Sequence, residues 1–175
     1  MIKVIDNIVS DKIANEIEDI MTCVGAQNFN WFFNKGTLYP SPKNDNFQLT
    51  HLIYYDENDP KITSAYFDIS LKILENIKFK KIYRIKANLN TNISNYKKGN
   101  HNLIHQDVKS DNFKSLLYYV NDTDGDTFFF KNKKVIKKVK PKKNRAVFFN
   151  SNIEHAGSNP IKSPYRMVIN FILEV

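Results

Sequence analysis

Cysteine is almost missing from this chain of 175 residues. Cys23 stands alone, so no intrachain disulfide can form and the fold must be held by burial. That usage fits a reducing, cytoplasmic setting. Cys23 follows a predicted helix and reads as a small buried hydrophobe. Long apolar runs are missing too. No stretch approaches the roughly 18 apolar residues that span a bilayer, so a membrane role is not expected. The opening MIKVIDNIVS has neither the apolar run nor the small-residue cleavage site of a secretory signal. Glycine is scarce, at 5, and no linker, internal repeat or low-complexity block divides the chain. Arginine is scarcer still: Arg84, Arg145 and Arg166 are the only ones among 26 basic residues. The net charge of +8 is therefore lysine charge, and it has two readings. One is an electrostatic footprint for nucleic acid. The other is the Lys, Asn and Ile usage of AT-rich coding sequence, because phosphate and base readers favour the planar arginine fork.

What is present suits one domain over residues 1–175, with an ordinary 42% hydrophobic and 25% charged composition. Phe at 13 and Tyr at 9 favour strands. Ser10 reads as an N-cap. After it Ile13, Ile17 and Ile20, with Ala14, Met21 and Val24, mark the core face of a helix of about four turns. Phe29 to Phe33 and Gln48 to Tyr55 read as strands, with a loop from Leu38 to Asn46 between them. Asp59-Pro60 is a cap followed by a first-turn proline, which predicts a second helix reaching about Ile77. Residues 1–80 thus read as helical support with two strands. From residue 81 the period is 2, beginning with Arg84, Lys86 and Asn88 alternating against Ile85, Ala87 and Leu89. Strands follow at Lys114 to Asn121, Thr127 to Lys131, Val135 to Val139, Arg145 to Asn150 and Tyr165 to Glu174. The lysine-dense stretch from Lys131 to Lys143 reads as a strand pair with a basic exposed face.

Chemistry concentrates in the second half. His105-Gln-Asp107 sets two metal-ligand side chains at i and i+2, which point the same way on extended backbone. His155 comes from a later strand. Two histidines and one carboxylate leave three positions of a ferrous ion open, enough for a chelating cosubstrate and O2. Arg166 is one cation in the otherwise apolar Tyr165-Arg-Met-Val-Ile-Asn-Phe-Ile172. A buried arginine needs an anion, and a dicarboxylate supplies one to its paired N–H groups. His-x-Asp alone is more often a surface hydrogen-bonded pair; His155 and Arg166 in register change its meaning.

From Tyr96 to Val175 the chain resembles the 2-oxoglutarate/Fe(II)-dependent dioxygenase superfamily in its prolyl-4-hydroxylase-like branch. The resemblance rests on Tyr96-Lys-Lys-Gly99, His105-Gln-Asp107, Tyr118-Tyr-Val-Asn121 and Asp124-Gly-Asp-Thr-Phe128, in order. It continues through Pro141-Lys-Lys-Asn144, Ala146-Val-Phe-Phe149, His155-Ala-Gly157 and Tyr165-Arg166. Asn144 stands where the family often has Gly, and Asn tolerates left-handed backbone. The resemblance implies a mainly β fold with flanking helices, a double-stranded β-helix or jelly roll. It implies Fe(II), O2 and 2-oxoglutarate, with His105, Asp107 and His155 on the metal and Arg166 on the distal carboxylate. It implies that Tyr119 donates to that carboxylate, with Tyr118 as the adjacent competitor, and that Tyr96 faces cosubstrate or substrate. The implied reaction hydroxylates an unactivated C–H bond while 2-oxoglutarate becomes succinate.

Three functions follow. A protein or peptide hydroxylase fits the prolyl-hydroxylase resemblance. A nucleic-acid-directed oxygenase fits the basic balance, and a steep salt dependence of DNA binding would mark it. A jelly-roll binding module without catalysis would fail to bind Fe(II). Among the other candidates, His101 reads as a loop histidine, while His51 and Trp31 read as core.

Overall fold

The computed structural model describes residues 1–25, 28–38, 40, 42, 45–56, 59–94 and 96–175. Its strands are β1 (Ile2–Asp6), β2 (Phe32–Asn34), β3 (Gln48–Tyr55), β4 (Lys61–Ile62), β5 (Lys81–Thr91) and β6 (Phe113–Tyr119). They continue with β7 (Thr127–Lys131), β8 (Lys134–Val139), β9 (Arg145–Asn150), β10 (His155–Gly157) and β11 (Tyr165–Glu174). The helices are α1 (Asp11–Met21) and α2 (Phe67–Leu71), the latter running into a 3₁₀ turn at Lys72–Leu74. One large sheet runs β1-β9-β6-β11-β5-β3-β2, with β4 added beside β3; a small sheet runs β10-β7-β8. Every pairing is antiparallel. This is the two-sheet jelly roll that the strand pattern and the resemblance imply.

Alternation sorts the large sheet into two faces. Met167, Ile169, Phe171 and Leu173 of β11, with Leu116 and Tyr118 of β6, pack against Ile17, Ile20 and Met21 of α1 and Ile73 and Leu74 of the 3₁₀ turn. The opposite face packs Leu117, Tyr119, Val147, Phe149 and Val168 onto Phe129 and Val139 of the small sheet. Each such Ile, Leu or Phe side chain, fully buried, contributes about 1.5–3 kcal/mol over an exposed one. β11 is buried on both faces, which is why its sequence is nearly continuous apolar. Arg166 and Asn170 interrupt that run, and both face the small sheet side.

Several sequence expectations shift. Ser10 does cap α1, its Oγ accepting from Ile13 N, but the helix has 11 residues, about three turns rather than four. Thr22 ends it, and Cys23 turns left-handed at φ 56°. The helical period therefore stops before Cys23 and Val24, and both are exposed rather than buried. The second helix does not begin at Asp59-Pro60. Lys61 and Ile62 instead pair with Tyr55 and Tyr54 on β3, where a free edge captures the β-branched Ile62. Ser64 then closes a turn ahead of α2, its Oγ accepting from Tyr66 N and its carbonyl from Phe67 N, and Tyr66 stands at the N-cap. The strand expected from Phe29 forms only from Phe32. β1 was not anticipated; it exists because Ile2 and Val4 cover the Val147 and Phe149 side of β9. The loop expected from Leu38 to Asn46 lies partly outside the described residues. No described helix is long and apolar enough to cross a membrane.

Candidate metal and cosubstrate site

An isolated antiparallel bridge assembles the site. His105 N donates to His155 O at 3.0 Å and His155 N returns to His105 O at 2.9 Å. The bridge sets the two imidazoles side by side, with ring centroids 4.5 Å apart. Asp107 is anchored two residues on, its N donating to Ser151 O at 3.0 Å. Ligand-type atoms of His105, Asp107 and His155 all lie within 4.8 Å of one another.

Backbone carbonyls decide the tautomers. His105 Nδ1 lies 3.0 Å from Leu103 O, and His155 Nδ1 lies 3.0 Å from Ile153 O. A carbonyl only accepts, so each Nδ1 carries a hydrogen, and Nε2 is the nitrogen left to each ring as a metal ligand. Metal-binding histidines are oriented in this manner. Burial, and then the neighbouring His155, pushes His105 down to about 4, which keeps it neutral at pH 7. Burial alone would push the Asp107 carboxyl up, but His155, Arg84, His105 and Ser115 together hold it at about 2. Ser115 Oγ donates to Asp107 Oδ2 at 2.6 Å, and Asn170 Nδ2 donates to Oδ1 at 3.3 Å. Two imidazoles and an ionised carboxylate lining one cavity form a donor set that fits Fe(II).

That cavity holds about 310 Å³, enough for a small ligand beside a metal. Arg166 lines it and is 3% exposed. Its Nε donates to Gly125 O at 2.7 Å and its Nη2 to Thr127 Oγ1 at 3.0 Å. Among the described residues it has no ion pair. A buried cation without an anion is costly, so this arginine fits a ligand carboxylate.

The tyrosines divide by strand alternation. Tyr118 faces the helices. Tyr119 faces the Arg166 side, its ring centroid 5.7 Å from the guanidinium carbon. Its hydroxyl donates to Thr127 Oγ1 at 2.8 Å rather than into the cavity. Thr127 thus accepts from both Tyr119 and Arg166, and its own O–H remains to donate toward a ligand. Sequence reasoning passed over Thr127, although the Asp124-Gly-Asp-Thr-Phe128 motif contained it. Tyr96 is not on the cavity wall. Its hydroxyl is pushed up by burial and sits by the Asn159 backbone in the field of Arg166.

Sequence reasoning also missed the inner face of β5. Arg84, Lys86, Asn88 and Asn90 all line the cavity. Arg84 Nη2 stands 3.6 Å from Asp107 Oδ1. Burial and then Arg84 push Lys86 down to about 8, against the pull of Asp107. The alternation was legible; which face turned inward was not. The remaining histidines lie elsewhere. His51 is satisfied by Asn30 O and Ser64 Oγ, and His101 packs on Phe128 and Phe130 outside the cavity. Trp31 packs on the core with its Nε1 donating to Met21 O.

Residues 91–174 match a family described as the 2OG-Fe(II) oxygenase superfamily. No curated protein matches the chain. An oxidoreductase of the 2OG-Fe(II) oxygenase family from Burkholderia pseudomallei shares its fold at TM-score 0.70 and 9% identity, over 99% of this chain and 84% of that one. A Pseudomonas putida prolyl-4-hydroxylase superposes at TM-score 0.57 and 14% identity, over 99% and 91%. A Trichoplax adhaerens prolyl hydroxylase, solved with a hypoxia inducible factor peptide fragment, superposes at 0.63 and 15%, over 99% and 83%.

Proposed function

We propose a reaction from one premise: this chain belongs to the 2OG-Fe(II) oxygenase superfamily, and is an enzyme that uses Fe(II), 2-oxoglutarate and O2. The proposed reaction is hydroxylation of an unactivated C–H bond in a protein or peptide. One observation carries it: a single cavity holds the carbonyl-backed His105, Asp107 and His155 set and a buried Arg166 with no protein anion. With Fe(II) and 2-oxoglutarate bound, O2 oxidises the cosubstrate to succinate and CO2 and supplies one oxygen atom to the C–H bond.

The chain's own residues do the rest. His105, Asp107 and His155 would hold the ion through two Nε2 lone pairs and a carboxylate. Ser115 and Asn170 keep that carboxylate turned toward the histidines. Arg166 would take the distal carboxylate of 2-oxoglutarate, with Thr127 donating beside it and Tyr119 fixing Thr127. Leu117 and Val168 line the same cavity and exclude water from one wall. Tyr96 sits behind Arg166 and would steady that end rather than touch the substrate.

A peptide substrate is supported by the cavity mouth. Thr37 and Leu38 line it just after the edge strand β2. There Phe33, 67% exposed, stacks on Phe47 at 5.7 Å. An edge strand with open aromatic rings offers backbone pairing and apolar contact to an extended chain. The alternative, nucleic acid, leans on the lysines of β8. Of these, Lys137 donates to Ile2 O and Lys138 pairs with Asp126, so the basic face is partly engaged within the protein.

The test is anaerobic titration of metal-free protein with Fe(II) and then 2-oxoglutarate, following the visible charge-transfer band. The band should form in wild type and vanish in His105→Ala. Arg166→Ala should need at least about tenfold more 2-oxoglutarate, the loss of one charge-assisted pair. Metal-loaded wild type that forms no band returns the chain to the binding-module reading.

A further inference from the structure

The cavity keeps positive charge that the metal and cosubstrate do not use. Arg84, Lys86 and Arg166 line it against Asp107 alone, which leaves the lining two charges positive. A ferrous ion and doubly ionised 2-oxoglutarate cancel each other, so two positive charges remain when both are bound. Arg166 answers one cosubstrate carboxylate and the metal the other. The surplus belongs to Arg84 and Lys86.

Register separates these two from Arg166. Arg166 pairs across the sheet with Asn90, whereas Lys86 pairs with Asn170, four residues further along β11. At the usual strand rise that is about 13 Å, too far for one carboxylate to bridge. Asn170 is one of the residues that hold Asp107, so Arg84 and Lys86 flank the metal end. Among the described residues Arg84 pairs with Asp107 alone, at 3.6 Å, and Asp107 is the carboxylate the metal would claim. Arg84 Nε is buried and makes no hydrogen bond. Among the described residues Lys86 has neither a hydrogen bond nor an ion pair. Next along the strand, Asn88 Oδ1 is also buried without a partner. Buried polar atoms are normally satisfied, so a cluster of orphans on one wall marks a ligand.

Resting on the oxygenase reading, we propose that Arg84 and Lys86 bind a carboxylate of the primary substrate, one or two carbons from the C–H bond that is hydroxylated. Arg84 stands beside a metal ligand, so an anion on it lies beside the oxidised carbon. A nucleic-acid phosphate is separated from the base carbons by the sugar and fits this placement poorly. An acidic side chain in a peptide fits it, and so does a free amino acid of the same chemistry. The bond change is that of the parent reaction: C–H becomes C–OH, while 2-oxoglutarate and O2 become succinate and CO2.

Protein loaded anaerobically with Fe(II) and 2-oxoglutarate provides the test, with perturbation of the charge-transfer band as the binding readout. The probes are blocked hexapeptides with one central Asp or Glu, the same peptides with Asn, Gln or Pro, and free aspartate and glutamate. An acidic peptide should perturb the band at about tenfold lower concentration than its amide counterpart, and air should then add one oxygen to its mass. Lys86→Gln and Arg84→Gln should each bring acid and amide to within about twofold. Free acids that match the peptides keep the carboxylate assignment and identify a small molecule as its source. Equal binding of acid and amide overturns the proposal, as does a response to the Pro peptides alone. A Lys86→Gln protein that needs more 2-oxoglutarate overturns it by assigning Lys86 to the cosubstrate. An Arg84→Gln protein that loses Fe(II) affinity but keeps the acid preference overturns it by making Arg84 a positioning residue for Asp107. A wild type with no band overturns the oxygenase reading and this inference together; a band without acid preference overturns this inference alone.

Discussion

Thr127 is where the side chains of Tyr119 and Arg166 meet beside the cavity. Its Oγ1 accepts from Tyr119 and from Arg166. Thr127→Val keeps the shape and strands both donors in a buried place, at a cost of about 1–3 kcal/mol. Urea unfolding should show that loss, and 2-oxoglutarate titration should show weaker binding. Thr127→Ser should restore both; a valine variant with wild-type behaviour would remove Thr127 from the site. His105 gives a pH signature. Its imidazole titrates at about 4 in the folded metal-free protein against 6.5 in a model peptide. The unfolded chain therefore takes the proton first as pH falls. The contribution is whole above pH 6.5 and is lost on the way down to about 4. Metal-free protein should lose about 2 kcal/mol from this residue between pH 7 and 5. Denaturant titrations in chelator at the two pH values measure it, and His105→Asn should lack that drop.

At the level of elements, the turn between β6 and β7 presses directly on the site. A Cβ on Gly125 would meet Ser158 O at 2.6 Å and Arg166 Cδ at 2.7 Å. Backbone cannot yield there, so Gly125→Ala should displace Arg166. We expect about 1–3 kcal/mol of destabilisation and a 2-oxoglutarate requirement raised by about tenfold or more. Unchanged binding with unchanged stability would show that the turn relaxes freely. The sequence showed this segment as one motif of the resemblance, Asp124-Gly-Asp-Thr-Phe128, but not its constraint, which is close approach to β11. Asn144 shows the reverse. Left-handed backbone was legible at that position, and its φ is 64°. Its side chain also clasps Val9, donating to Val9 O and accepting from Val9 N, across 135 residues of chain.

At the scale of the whole molecule, the two sheets meet around an anion-seeking cavity. Ligands that bind only the assembled site should stabilise the entire fold. Redox-inert Mn(II) with 2-oxoglutarate, each at about 100 times its dissociation constant, should each add about 2.7 kcal/mol. That corresponds to roughly 5–10 °C in Tm for each ligand in a chain of this size. Arg166→Ala should keep the metal increment and lose most of the 2-oxoglutarate increment. Thermal scans decide it, and two equal increments in the variant would detach Arg166 from the cosubstrate.

The sequence by itself determined the donor types and much of their spacing. His105 and Asp107 share a face because extended backbone has a period of two, and Arg166 announced itself as one cation in an apolar strand. Strand periodicity after residue 81 was readable for the same local reason. Tertiary structure decided the rest. Whether Arg84 and Lys86 or Ile85 and Ala87 turned inward depended on which side the helices covered. Lys61 and Ile62 became strand because the β3 edge was free to take them. Tyr119 found Thr127 instead of the cavity because β7 lies opposite β6. Each outcome is set by partners distant in sequence, and local propensity carries no record of them.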